Sequence, residues 1–121
     1  MENDIVEFIT VAAKDEIAEG ASKPARIGEH DVVVFNHGGN FYALRRWCTH
    51  MGGDLSEGAI EGNVVTCPRH GSQFDITTGK NLRGPKMGPI QFPSTADELT
   101  YQVKVEGNDI LVGVEDKNMM P

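Results

Sequence analysis

The sequence contains no apolar stretch long enough to cross a membrane, no run of like charge, no low-complexity tract and no internal repeat. The first absence excludes a membrane-spanning helix within these residues, and the others exclude a disordered or repetitive chain. Basic residues are also scarce. Eleven Lys and Arg stand against eighteen Asp and Glu, a net charge of -7 that repels nucleic acid and anionic membrane surfaces and suits a partner with a basic docking face. The opening residues, MENDIVEFITVAAKDE, are acidic and their apolar run is interrupted, so they read as neither a secretory signal nor a transit peptide. A cytoplasmic protein that binds no nucleic acid and no membrane is expected. Cysteine is limited to Cys48 and Cys67, and because intracellular thiols stay reduced, the pair is expected to serve as ligands or catalysts rather than as a disulfide.

A chain of 121 residues suits one domain around one core, and nothing in it reads as a linker. Short apolar runs separated by Gly, Asn and Pro recur throughout, the pattern of strands and hairpins, so an all-β, antiparallel fold is expected. IVEFITVA opens as a strand, and AKDEIAEGASKP reads as a turn holding at most one helical turn. Val32–Phe35 and Phe41–Leu44 flank the loop NHGGN as a hairpin. GAI and VVT pair around EGN, SQFDI continues as a strand into the turn TTGK, and LTYQVKV pairs with DILVGV. The stretches NLRGPKMGPI and QFPSTADE read as irregular, and the tail EDKNMMP as frayed.

The chemistry is concentrated in CTHMGGDLSEGAIEGNVVTCPRHGS. Cys48 and His50 form C-x-H, sixteen residues intervene, and Cys67 and His70 form C-x-x-H. The GAI/VVT hairpin places these pairs at its two ends, from which they can converge as a four-donor set of thiolate and imidazole. One reading is two buried structural cysteines beside two surface histidines, but Gly52, Gly53 and Gly71 follow the histidines where a backbone must approach something closely. A structural zinc is a second reading, since two Cys and two His complete a tetrahedron. The usual zinc pattern pairs Cys with Cys and His with His, whereas each loop here offers one of each, which suits a bridged two-metal centre better.

CTHMGGDLSEG followed by CPRHGSQFD closely resembles the Rieske family of 2Fe-2S proteins, and VVVFNHGGNFYAL, the GPKMGP stretch and the closing hairpin extend the likeness to a small, soluble Rieske ferredoxin. The resemblance implies a Rieske fold, an antiparallel β base with an inserted cluster-binding subdomain at about 46–75. It implies one 2Fe-2S cluster, with Cys48 and Cys67 on one iron and His50 and His70 on the other. Gly53 and Arg69 occupy the positions at which the respiratory branch carries an additional cysteine pair, so no such disulfide ties the loops here. GPKMGP resembles the proline loop that covers the cluster. The implied function is single-electron transfer by a non-catalytic monomer, between a reductase and a terminal acceptor such as an oxygenase. The alternative is the small electron-transfer subunit of a nitrite reductase or oxygenase system.

The resemblance also assigns a potential-tuning role. The hydroxyl of Ser72 is expected on a bridging sulfide, while Phe74 stands where high-potential members carry a tyrosine hydroxyl. Backbone amides of Gly52, Gly53 and Gly71 are expected to face sulfur, with Leu55 and Pro85 limiting water. Electrons are expected to leave past the imidazole edges near Met51. Trp47 is expected to pack between subdomain and base, His30 and His37 to be solvated in turns, and Arg45, Arg46 and Arg69 to stand near the site.

Overall fold

The computed structural model describes residues 6–49, 52–93 and 96–115. β1 (Val6–Ala13) and a 3-10 turn (Lys14–Glu16) lead into β2 (Ser22–Ile27), β3 (His30–His37) and β4 (Asn40–Arg45). A second 3-10 turn (Leu55–Glu57) precedes β5 (Ala59–Glu61), β6 (Val64–Thr66), β7 (Gln73–Asp75) and β8 (Asn81–Arg83). The ribbon β9 (Lys86–Met87) and β10 (Ile90–Gln91) follows, and β11 (Thr100–Glu106) and β12 (Asp109–Glu115) close the chain. No helix among the described residues is long and apolar enough to cross a membrane.

The strands form a six-stranded base in the order β1-β12-β11-β4-β3-β2, a four-stranded sheet in the order β5-β6-β7-β8, and the β9-β10 ribbon, with all pairings antiparallel. The unbroken apolar run of β3 belongs in the middle of this arrangement because the strand is covered on both faces. Val34 points into one core with Ala12, Ile17, Ala43, Ile110 and Val112. Val33 and Phe35 point the other way, into a second core with Leu44, Leu55, Val65, Phe74, Ile76 and both cysteines. This second core welds the small sheet to the base and brings the Cys48 and Cys67 segments together.

Three local readings change. The last three residues of AKDEIAEGASKP are strand and not turn: they open SKPARI, which pairs with β3 from Ser22↔Phe35 to Ile27↔His30, and Pro24 is tolerated because β2 is the edge of the sheet. NLRGPKMGPI is regular, supplying β8, which pairs with β7, and a β9-β10 ribbon that folds back on itself through Ile90↔Met87 and Gln91↔Lys86. The NHGGN loop narrows to Gly38 and Gly39, since pairing runs on to His37↔Asn40. His30 is not simply solvated. Its ring meets Tyr101 edge-on at 5.8 Å between centroids, with the phenol oxygen 3.5 Å from Nδ1. All of the EDKNMMP tail after Glu115 lies outside the described residues.

Candidate metal centre

Both cysteines begin a loop closed in the same way. Cys48 N–H donates to the Gly53 carbonyl at 2.7 Å, and Gly52 N–H donates back to the Cys48 carbonyl at 3.2 Å. In the second loop Cys67 N–H donates to the Ser72 carbonyl at 2.7 Å, and Gly71 N–H returns to the Cys67 carbonyl at 3.0 Å. The fifth residue of each loop takes a left-handed conformation, Gly52 at φ 68° and Gly71 at φ 78°, which a side chain at either place would strain. These two amides are therefore engaged in closing the loops on carbonyl oxygen, where sulfur had been the expected acceptor. His50 and Met51 lie outside the described residues, so the first loop is described by its ends.

The loops meet in one apolar pocket. Cys48 and Cys67 are unbridged and 3% and 2% exposed, in the same buried cluster as Leu55 and Phe74. At the seam, a side chain on Gly53 would run into Cys67 Sγ and come within 3.0 Å of Arg69 Cβ, so the lack of a side chain there keeps room beside the thiol. Ser72 is 1% exposed, and its hydroxyl has no hydrogen-bond partner among the described residues. A buried hydroxyl left without an acceptor is costly, and a bound sulfide is the kind of partner that would relieve it. Phe74 is wholly buried. Among the described residues no three His, Cys, Asp or Glu side chains gather as the donors of one ion.

The supports of the two loops differ. The first is clamped at its base, where Arg46 donates to both carboxylate oxygens of Asp54 at 3.0 and 2.9 Å, Trp47 bridges Asp54 through the backbone, and Leu55 N–H reaches the Arg46 carbonyl at 2.8 Å. The Arg46 guanidinium holds the Asp54 carboxyl below its ordinary range, assisted by the hydroxyl and amide of Ser56 and opposed by burial. Trp47 is half-buried against the base, and its indole N–H donates to Asp31 on β3 at 3.1 Å. The second loop is held from the side of the proline stretch: Lys86 N–H donates to the His70 carbonyl at 2.7 Å and Arg83 Nη2 to the Gly71 carbonyl at 3.2 Å. Pro85 is buried, and His70 is partly buried.

One contributor carried no sequence signal. Glu98, in the stretch that read as irregular, is 4% exposed, and its Oε2 has no partner among the described residues. Burial pushes its carboxyl up to about 7, while the Leu99 amide, Arg45 and the Thr49 amide hold it down. Thr49 also donates its hydroxyl to the Ala96 carbonyl at 3.0 Å, so residues 96–99 form a strap behind the first loop. Only the packed structure shows that this acid is buried. The Arg46–Asp54 clamp had no sequence signal either, since acids and bases at such spacing are usually solvated.

Residues 7–103 match the family model of the Rieske 2Fe-2S domain. The ferredoxin component of the naphthalene 1,2-dioxygenase/salicylate 5-hydroxylase systems of Ralstonia sp is 32% identical, with 89% of this chain and 96% of that protein covered. The ferredoxin component of the biphenyl 2,3-dioxygenase of Rhodococcus jostii (strain RHA1) is 33% identical, over 87% of this chain and 91% of its own. Among solved structures, a complex of reduced oxygenase and oxidized ferredoxin in carbazole 1,9a-dioxygenase contains a chain with a TM-score of 0.68 and 30% identity, over 87% of this chain and 91% of that one.

Proposed function

This chain belongs to the Rieske 2Fe-2S family, and from that premise we propose that it is a soluble, cytoplasmic, monomeric carrier passing single electrons from a reductase to a terminal oxygenase. It carries one 2Fe-2S cluster and is an electron-transfer component rather than a catalyst. When bound, the cluster supplies one-electron chemistry, with histidine ligation raising the potential into the range of roughly -150 to +300 mV. The ligand assignment is Cys48 and Cys67 to one iron and His50 and His70 to the other, within one domain whose cluster-binding part spans about 46–75.

The observation that carries this reading is the convergence of two like-closed loops on one pocket. It holds two reduced, buried cysteines and the unengaged hydroxyl of Ser72. Thiols in that pocket are shielded from water by Leu55 and Phe74. Gly53 leaves the space, and Ser72 offers the donor, that a sulfide-bridged group needs. The relatives are named as ferredoxin components of dioxygenase systems, which favours an oxygenase over a nitrite reductase as the partner.

Metal and sulfide analysis of the purified protein tests the proposal: about two irons and two acid-labile sulfides per chain are expected. Cys48→Ser and Cys67→Ser should each lose iron and visible absorption, because an alkoxide is a poor substitute for thiolate. A colourless protein with one zinc per chain, or wild-type absorption in either variant, would overturn it. In the functional arm, the reduced protein should be reoxidised by a terminal oxygenase at one electron per chain.

A further inference from the structure

The net charge of -7 describes the whole chain and not the end that carries the cysteine loops. Residues 69–91 contain Arg69, Lys80, Arg83 and Lys86 against Asp75, and the Asp97 carboxylate joins the same region by accepting from the Asn81 amide at 2.8 Å, a local balance of +2 that leaves -9 for the rest. The Asp75 carboxylate is taken up locally, accepting from the Thr77 amide at 2.8 Å and the Thr77 hydroxyl at 2.7 Å.

Three of the four cations stand around the second loop. Arg69 lies within it, at the seam with Gly53. Arg83 reaches the Gly71 carbonyl, and the Lys86 backbone is bonded to the His70 carbonyl. All three residues are exposed, and among the described residues none forms an ion pair, in contrast to Arg46 in the first loop. Apolar side chains stand in and just after the same stretch, with Leu82, Ile90 and Phe92 respectively 45%, 57% and 40% exposed. Unpaired cations beside exposed apolar groups are the composition of a docking surface.

Distance lets this local charge act on its own. The acids of the β11-β12 turn, Glu106 and Asp109, sit at the far end of β11 from Thr100, which pairs with Leu44 near the first loop. A strand of that length spans about 20 Å, roughly twice the Debye length at 0.1 M salt, so the remote acids are largely screened from a partner seated at His70.

We propose that the electron-transfer face of this protein, centred on His70 and bordered by Arg69, Arg83 and Lys86, docks on an acidic protein surface whose Asp and Glu carboxylates surround the acceptor's redox centre. The inference rests on the reading of the chain as a 2Fe-2S electron carrier, and it gives the acceptor a charge opposite to the one that the whole-chain balance suggests.

Small redox reagents read the sign of this face without the acceptor. The loaded, reduced protein is mixed in stopped flow with ferricyanide, an anion, or with tris(1,10-phenanthroline)cobalt(III), a cation, across a range of ionic strength. Each reagent takes one electron from the reduced centre, giving ferrocyanide or the cobalt(II) complex. Oxidation by ferricyanide should slow as salt rises, and oxidation by the cobalt complex should quicken. Arg69→Glu with Lys86→Glu should slow ferricyanide about tenfold at low salt and reverse its salt slope. Lys86→Glu alone should shift the rate the same way by less, and serves if the double variant does not load. Lys14→Glu, the same charge change in the turn that meets Asn108 at the far end, should leave the rates near wild type. A wild-type ferricyanide rate that rises with salt, or variants with unchanged slopes, would overturn the docking proposal alone. Samples without iron and acid-labile sulfide would instead refute the electron-carrier reading and the docking proposal with it.

Discussion

The two cysteine loops share a backbone and differ in almost everything attached to it. Both are closed by a cysteine amide and a returning glycine amide, and both bury their thiol in one pocket. The first is tied to the base: Arg46 grips Asp54, Trp47 reaches Asp31, and the strap of residues 96–99 backs Thr49. The second leans on the β8 and β9 segment and presents exposed cations. The comparison teaches that a repeated local geometry can bring two buried cysteines together while its surroundings divide the labour. One loop serves as the anchored wall and the other as the face offered to a partner.

The seam is where the comparison breaks most sharply. Gly53→Ala should cost most of the bound iron, because its methyl group would enter the space beside Cys67 Sγ in a core where overpacking costs about 1–3 kcal/mol before any loss of ligation. Gly52→Ala meets no neighbouring atom among the described residues and should carry only the backbone penalty of about 1 kcal/mol at φ 68°. Iron content and thermal midpoint measured on the two variants separate crowding from strain, and equal losses would show that the seam is not special.

The strap behind the first loop should make stability depend on pH in a way that the second loop does not. Glu98 has a folded value of about 7 against an ordinary 4.5, so its protonated form is favoured by folding. That stability is present below pH 4.5, is lost as pH rises through about 7, and is level beyond. Glu98→Gln should therefore gain on wild type between pH 5 and pH 8, by up to about 3 kcal/mol. Denaturant unfolding at those two pH values checks it, and a constant difference would contradict a buried, neutral Glu98.

On the second loop, Ser72→Ala should lower the reduction potential with little loss of iron. A hydrogen bond worth about 1.4 kcal/mol to the reduced state corresponds to about 60 mV for a one-electron couple. Film voltammetry measures it, and an unchanged midpoint would show that the buried hydroxyl does not touch the centre. The smallest effect is expected at the clamp. Asp54→Asn should cost about 1 kcal/mol at neutral pH, since the ion pair is partly exposed. Because Arg46 depresses the Asp54 value, that contribution is present above the ordinary carboxylate range and lost as pH falls through the folded value, so urea midpoints of variant and wild type should converge in acid.

Much of this architecture was legible from residue types and spacing, because the features involved are local. The hairpins at Gly38–Gly39, Gly62–Asn63 and Gly107–Asn108 declare themselves through turn residues between apolar runs. Cys48 and Cys67 declare themselves by scarcity and by the mixed Cys/His pairing. By contrast, SKPARI and NLRGPKMGPI carry Pro and Gly that read as breaks, and they become strands only where an edge position or a neighbouring strand accepts them.

The sequence by itself determined the protein family, the all-β class and the sign of the total charge, since composition and short-range spacing are properties of the chain. Tertiary structure alone decided that Glu98 is buried while Glu106 is not, that Arg46 is neutralised by Asp54 while Arg69 and Lys86 form no ion pair among the described residues, and that Gly53 lies against a thiol fourteen residues away in sequence. Desolvation, pairing and crowding depend on which surfaces meet. In an antiparallel fold those surfaces are supplied by strands that are distant along the chain.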